Sequence, residues 1–113
     1  MNRTISPSEL KHLLENRKTI LLLDVRRRVD DDTDGQKIPG AAWLDPERLT
    51  QWSTALPLDR EIVIYCARGG SVSNSVVDQL KAKGVRARFI EGGIEAWKAS
   101  GGQTIDNGAT KPK

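Results

Sequence analysis

Short continuous apolar runs recur along the chain and predict strands of a buried sheet. They cover residues 19–25, 61–65 and 86–90, and a turn leads into a further short strand within residues 38–44. The run at 19–25 is rich in β-formers and bounded by charge, a pattern typical of a strand that is covered on both faces. The run at 61–65 is the clearest strand, and it ends at Cys66.

Apolar residues at helical spacing predict helices between these strands. Ser6 is suited to cap the first helix, with Pro7 at its first position and Glu9 completing a capping box. Strands that alternate with helices indicate an α/β fold, with a mainly parallel central sheet of about five strands and helices on both faces. The other predicted helices begin at Asp45, extend from about Ser71 to Lys83, and cover residues 94–98.

Length and composition indicate one domain. The chain has 113 residues, of which 37% are hydrophobic and 29% charged, so it is neither mainly disordered nor typical of a membrane protein. A formal charge of +3 is a weak signal for nucleic-acid binding, and no apolar run reaches the ~20 residues that span a bilayer. We expect one domain over 5–102, a polar and flexible tail over 103–113, a cytoplasmic location, and neither a nucleic-acid nor a membrane partner.

The cysteine and histidine content limits metal chemistry. Cys66 is the single cysteine, which excludes an intramolecular disulfide and a cysteine-based zinc site. The aspartates at 30–32 and 34 lack the spacing and the terminal glutamate of an EF-hand. His12 lies off the apolar stripe of its helix and is expected at the surface. We therefore expect no metal and no cofactor.

The candidate site is centred on Cys66. This residue ends a predicted strand and is followed by a glycine-bearing loop and the start of a helix. Ligands of open parallel sheets bind outside the carboxyl ends of strands, and loop amides and helix N-termini attract anions. The same dipoles favour the thiolate form, which gives a nucleophile that needs no histidine base. The alternative is an inert core thiol, and the position of Cys66 at the strand end argues against it.

Three segments in order resemble a rhodanese-like sulfurtransferase domain. The first is Leu-Asp-Val-Arg at 23–26, followed by Ile-Pro-Gly-Ala at 38–41. The second is Val-Ile-Tyr-Cys-Ala-Arg-Gly at 63–69, and the third is Glu-Gly-Gly-Ile-Glu-Ala-Trp at 91–97. No single segment is decisive, but their order and spacing are specific and span residues 5–102.

The resemblance implies an activity and a set of site residues. Cys66 would take the outer sulfur of thiosulfate or a persulfide donor as a persulfide and pass it to cyanide or to a thiol acceptor, including a protein thiol. Arg68 could attract an anionic donor. Asp24 and Arg26 match the Asp-x-Arg of the family and would support the site structurally, while Trp97 would pack in the core. The residues implied to bind substrate through the loop are Ala67, Arg68, Gly69, Gly70, Ser71 and Val72.

The loop departs from the family pattern and leaves alternatives open. Counted from Cys66, a six-residue loop ends at Ser71 and a seven-residue loop ends at Val72. The helix that follows can be aligned with the family either way, and placing Ser73 on the common post-loop serine of the family makes the loop seven. Phosphatase and arsenate-reductase relatives have seven-residue loops that end in arginine. Val72 cannot supply the bidentate fork that grips a phosphoryl group, so sulfur transfer is favoured. A non-catalytic binding or regulatory module is the other alternative, against which the retained Cys66 argues.

Overall fold

The computed structural model describes residues 3–16, 20–27, 35–68 and 70–106, and it has the predicted α/β architecture. The strands are β1 Thr4–Ile5, β2 Ile20–Asp24, β3 Gln36–Lys37, β4 Ala42–Trp43, β5 Glu61–Tyr65, β6 Arg86–Ile90 and β7 Ile105–Asp106. The α-helices are α1 Pro7–Glu15, α2 Leu49–Trp52, α3 Ser71–Ala82 and α4 Gly93–Ala99, with 3₁₀ turns at Pro46–Arg48 and Ser53–Ala55.

Five parallel strands form the central sheet in the order β1-β6-β5-β2-β4, which confirms the predicted fold class. Strand β5 is the middle strand, and its neighbours β2 and β6 pair with it along most of its length. Because a parallel sheet with both faces covered has no solvent-facing side, its strands appear in the sequence as continuous apolar runs.

Each face of the sheet has its own hydrophobic core. Successive residues of a strand point to opposite faces, so Val63 lies in one core and Ile64 in the other. One core joins strand residues to α1 and α4 through Leu10, Ile94 and Trp97. The other joins them to α2 and α3 through Leu49, Val76, Val77 and Leu80. Helices therefore cover both faces, and the core position predicted for Trp97 is confirmed.

The start of α1 has the predicted cap. The Glu9 amide donates a hydrogen bond of 3.1 Å to Ser6 Oγ, and Pro7 occupies the first helical position, where its missing N–H costs nothing. Such a cap is worth about 1 kcal/mol. His12 is exposed, as predicted.

A buried ion pair lies at the carboxyl end of β2. The Asp24 and Arg26 side chains are each 1% exposed, and Arg26 Nη2 lies 2.7 Å from Asp24 Oδ2. Arg26 Nη2 also donates to the Gln36 carbonyl at 2.7 Å, and its guanidinium lies 5.6 Å from the centroid of the Tyr65 ring. Burial, and next the Asp24 charge, raise the pKa of Tyr65 far above its usual range. The neutral phenol oxygen accepts a hydrogen bond of 3.2 Å from the Ile38 amide.

The first four residues of the predicted flexible tail are paired. Strand β7 lies antiparallel to β3, and the Trp97 indole donates to the Gln103 carbonyl at 2.8 Å. Thr104 Oγ1 also lies 3.0 Å from Gln36 Oε1. Backbone pairing of this kind needs no apolar periodicity, so the polar sequence gave no sign of it. Residues 107–113 lie outside the described part, and the domain boundary at residue 102 stays a prediction.

Several element boundaries differ from the sequence predictions. The helix expected after Asp45 begins as a 3₁₀ turn, in which Asp45 Oδ1 accepts from the Glu47 amide at 2.9 Å, and only then continues as α2. Strands β1, β3 and β7 have two residues each, too few for a period to show. The aspartates at 30–32 and 34 lie outside the described residues. Among the described helices, none is both long enough and apolar enough to cross a membrane.

Asp24→Asn tests the buried ion pair. We expect it to lower the free energy of unfolding by about 3–5 kcal/mol, because it leaves the Arg26 guanidinium buried without a counter-charge. Urea denaturation measures the loss. The control is the double variant Asp24→Asn/Arg26→Met, which removes both charges and should be more stable than the single variant. A single-variant loss below about 1 kcal/mol would contradict the role given to the pair.

Candidate active site

Cys66 lies directly after β5, at the carboxyl end of the central strand. The residue before it, Tyr65, is in register with Asp24 of β2, so the buried ion pair lies beside the same sheet edge. Cys66 is buried, with only 6% of the residue exposed. The thiol therefore combines the location expected of a site with the burial expected of a core residue.

The start of α4 holds the carbonyl groups that follow β5. The Ile94 amide donates to the Cys66 carbonyl at 3.0 Å, and the Glu95 amide donates to the Ala67 carbonyl at 3.2 Å. Two of the N–H groups that a helix start leaves without intrahelical partners are thus used to fix the loop. Both carbonyls are turned towards α4, which ties the third sequence segment to the second.

Gly93 allows this contact because it has no side chain. Its φ of +65° is a left-handed conformation that favours glycine. A Cβ at this position would overlap the Cys66 carbonyl oxygen and lie 2.6 Å from the Ala67 carbonyl carbon. Both obstacles are backbone atoms, so no side-chain rearrangement could relieve them. The second glycine of the Glu-Gly-Gly segment is therefore a packing requirement of the loop.

The loop leaves backbone donors unused. Among the described residues, the amides of Ala67, Arg68 and Gly70 donate no hydrogen bond. The Gly70 carbonyl, in contrast, accepts bonds of 3.2 Å from both the amide and the side chain of Asn74. The loop then continues into the first turn of α3, whose amides also lack intrahelical partners. Occupied carbonyls and unused amides are the arrangement that binds an anion.

The remaining predicted loop residues differ in what the structure describes of them. Gly69 lies outside the described residues, and of Ser71 the structure describes the backbone alone. Val72 is partly buried and packs against the core formed with α2 and α3. Its side chain is thus engaged in the core, which leaves the Val72 amide as the group that could meet a ligand.

Arg68 is paired with a residue that the sequence analysis did not single out. Its Nε donates to Glu95 Oε2 at 2.6 Å. The Arg68 side chain is 85% exposed and that of Glu95 is 57% exposed. The two residues are 27 positions apart, so no local spacing pattern could have revealed the pair. The cation expected to attract an anionic donor therefore has a carboxylate beside it.

Ser73 is a second residue with an unexpected environment. It lies in the first turn of α3, is fully buried, and its Oγ has no hydrogen-bond partner in the structure. An unpaired buried hydroxyl costs about 1–3 kcal/mol. The sequence had pointed to Ser73 only as a possible marker of loop length.

No group of three or more His, Cys, Asp or Glu side chains in the described ranges is arranged to hold a metal ion.

Comparison with known proteins agrees with this geometry. The family model described as "Rhodanese-like domain" matches residues 6–100. The chain is 31% identical over 100 residues to "Thiosulfate sulfurtransferase GlpE" of Coxiella burnetii, covering 88% of this chain and 90% of that protein. It is 36% identical over 98 residues to "Probable adenylyltransferase/sulfurtransferase MoeZ" of Mycobacterium tuberculosis, covering 83% of this chain but 24% of MoeZ. The chain thus spans about a quarter of the length of MoeZ.

A solved structure shares the fold over nearly the whole chain. The rhodanese-related protein of Thermoplasma volcanium superimposes with a TM-score of 0.77 at 26% sequence identity. The match covers 92% of this chain and 98% of that protein.

Gly93→Ala tests the contact between α4 and the loop. We expect it to lower the free energy of unfolding by more than about 2 kcal/mol, since the new Cβ is both strained and blocked by backbone atoms. Gly84→Ala is the matched control: its φ is +82°, but no atom lies within 4 Å of the added Cβ. The control should lose about 1 kcal/mol. Equal losses in urea denaturation would contradict the packing requirement.

Ser73→Ala tests the unpaired hydroxyl. We expect the free energy of unfolding to stay level or to rise by about 1 kcal/mol, because the substitution removes a buried polar group that makes no hydrogen bond. Ser75→Ala, on an exposed position of the same helix, is the control for helix propensity. A loss of about 1 kcal/mol or more beyond the control would show that the Ser73 hydroxyl is satisfied in the folded protein.

Proposed function

The chain belongs to the rhodanese-like domain family, and from this membership we propose that it is a sulfurtransferase that carries sulfane sulfur on Cys66. The observation that supports the proposal most is the loop after β5, in which α4 occupies the Cys66 and Ala67 carbonyls while the described amides of Ala67, Arg68 and Gly70 donate no hydrogen bond. Transferase chemistry at the family level agrees with the sulfurtransferase names of GlpE and MoeZ.

The first half-reaction loads the enzyme. The Cys66 thiolate attacks the outer sulfur of thiosulfate, the sulfur–sulfur bond of the donor breaks, and sulfite leaves with the electron pair. A persulfide remains on Cys66. A persulfide donor reacts in the same way, with a thiolate as the leaving group. In this step the thiolate is the nucleophile, and no histidine base takes part.

The second half-reaction transfers the outer sulfur from the Cys66 persulfide to an acceptor. Cyanide or an acceptor thiolate attacks the outer sulfur of the persulfide, and the Cys66 thiolate leaves. Cyanide becomes thiocyanate, while a thiol, small or on a protein, becomes a persulfide. In each step the bond that forms to the sulfane sulfur replaces the S–S bond that breaks, and the leaving group takes its electron pair, so no external oxidant is required. The single thiol would stay available in a reducing compartment such as the cytoplasm.

The loop and its surroundings have separate roles in this proposal. The amides from Ala67 to Val72, including those of Gly69, Gly70 and Ser71, bind the departing anion and the persulfide. Arg68 would attract an anionic donor, and its ion pair with Glu95 offsets part of that attraction. Asp24 and Arg26 do not contact the donor; they hold the end of β2 beside Cys66.

Phosphoryl or arsenate chemistry is the less favoured alternative on the same fold. Val72 is not arginine, and its side chain packs against the core. The loop therefore has no guanidinium at that position to bind the oxygens of a phosphoryl group in a bidentate manner. A non-catalytic binding module would need neither the thiol nor the unused amides.

Cys66→Ser tests the proposed chemistry. After incubation with excess thiosulfate and no reductant, intact-protein mass spectrometry should show a gain of one sulfur atom on the wild type, reversible by cyanide. The variant should show none and should lose at least about 10³-fold in transfer rate, since a hydroxyl is far less acidic than a thiol.

Circular dichroism and thermal unfolding serve as the control that the serine variant is folded. A variant that retains wild-type turnover would refute the assignment of Cys66. A wild type that gains no sulfur from thiosulfate or from a glutathione persulfide, while hydrolysing an aryl phosphate, would favour the phosphatase alternative.

A further inference from the structure

Glu95 is fixed next to the loop by its own backbone. Its amide donates to the Ala67 carbonyl at 3.2 Å, and the preceding amide of Ile94 donates to the Cys66 carbonyl at 3.0 Å. The carboxylate of Glu95 then reaches Arg68 Nε at 2.6 Å. The position of this ion pair therefore follows from the contact that shapes the loop, unlike a surface pair between two freely moving chains.

The ion pair changes what an approaching anion encounters. Arg68 alone would present a full positive charge at the loop, whereas Arg68 with Glu95 presents a dipole. Arg26, two residues after the end of β2, is buried against Asp24 and is likewise compensated. The unused loop amides remain, but they act at short range. Electrostatic attraction of dianions from a distance is thus reduced.

We propose that Glu95 is a specificity-determining residue, which lowers the preference of the site for strongly anionic sulfur donors by neutralising Arg68. This inference rests on the proposed function. The favoured donors are then persulfides of small thiols or of proteins, which carry less charge at the reacting end than thiosulfate. Glu95 acts through Arg68 and does not itself contact the donor.

The charge of Cys66 reagents provides a test that does not depend on sulfur transfer. Iodoacetate and iodoacetamide alkylate the same thiolate, but only iodoacetate is an anion. The rate constant for iodoacetate divided by that for iodoacetamide therefore reports the local electrostatic potential. The accessibility of the thiol and its thiolate fraction affect both rate constants alike and cancel in this ratio. Glu95→Gln should raise the ratio about twofold to fivefold at low salt, and added salt should reduce the difference because both side chains are exposed.

Three further variants separate charge from structure. Arg68→Gln leaves Glu95 uncompensated and should lower the ratio below the wild-type value. The double variant Arg68→Gln/Glu95→Gln should return it to near that value. Glu91→Gln is the matched control, because it removes the same charge just before α4 from a carboxylate that bonds Thr4 Oγ1 at 2.8 Å instead of the loop. It should leave the ratio nearly unchanged.

Steady-state kinetics provide the second measurement. Glu95→Gln should lower the KM for thiosulfate about twofold to fivefold with little change in kcat, and should change the KM for a glutathione persulfide less. An unchanged alkylation ratio, or equal effects of Glu95→Gln and Glu91→Gln, would overturn the inference. If the alkylation pattern is as expected while the wild type forms no persulfide, the proposed function fails and the electrostatic role of Glu95 stands.

Discussion

The hydrogen bonds from the start of α4 to the Cys66 and Ala67 carbonyls are the constraint on which the site depends. Every backbone residue brings one donor and one acceptor, so a loop that is to bind an anion through its amides must place its carbonyls elsewhere. Here the start of α4 provides that place, because its first amides have no acceptors within the helix. Each of these hydrogen bonds satisfies an amide of α4 and a carbonyl of the loop. The contact requires a glycine at position 93, because any side chain there would overlap backbone atoms.

The buried pair of Asp24 and Arg26 extends this support to the neighbouring strand. It reaches the Gln36 carbonyl on β3, which in turn pairs with β7. The charges are stable in the interior because each finds several partners, and because Tyr65 beside them remains neutral. The part of the sheet edge that borders the thiol is thus held by polar contacts, while the two cores below it are apolar.

The sequence was sufficient for the architecture and for the location of the loop. Apolar runs marked the long strands, the Ser6 cap marked the first helix, and the run at 61–65 placed Cys66 at the end of a strand. What it could not show depends on distances between residues far apart in the chain. Periodicity carries no signal for the pairing of Arg68 with Glu95, for the missing partner of Ser73, or for a two-residue strand such as β7.

The burial of Cys66 also sets a size limit on what can reach it. A residue that is 6% exposed can be approached by a narrow molecule but not by the surface of another folded protein. Two copies of the chain cannot bring their sulfur atoms to disulfide distance without opening the loops, since that bond needs Cβ atoms about 4 Å apart. Storage in air should therefore leave the protein free of disulfide-linked dimers through this thiol.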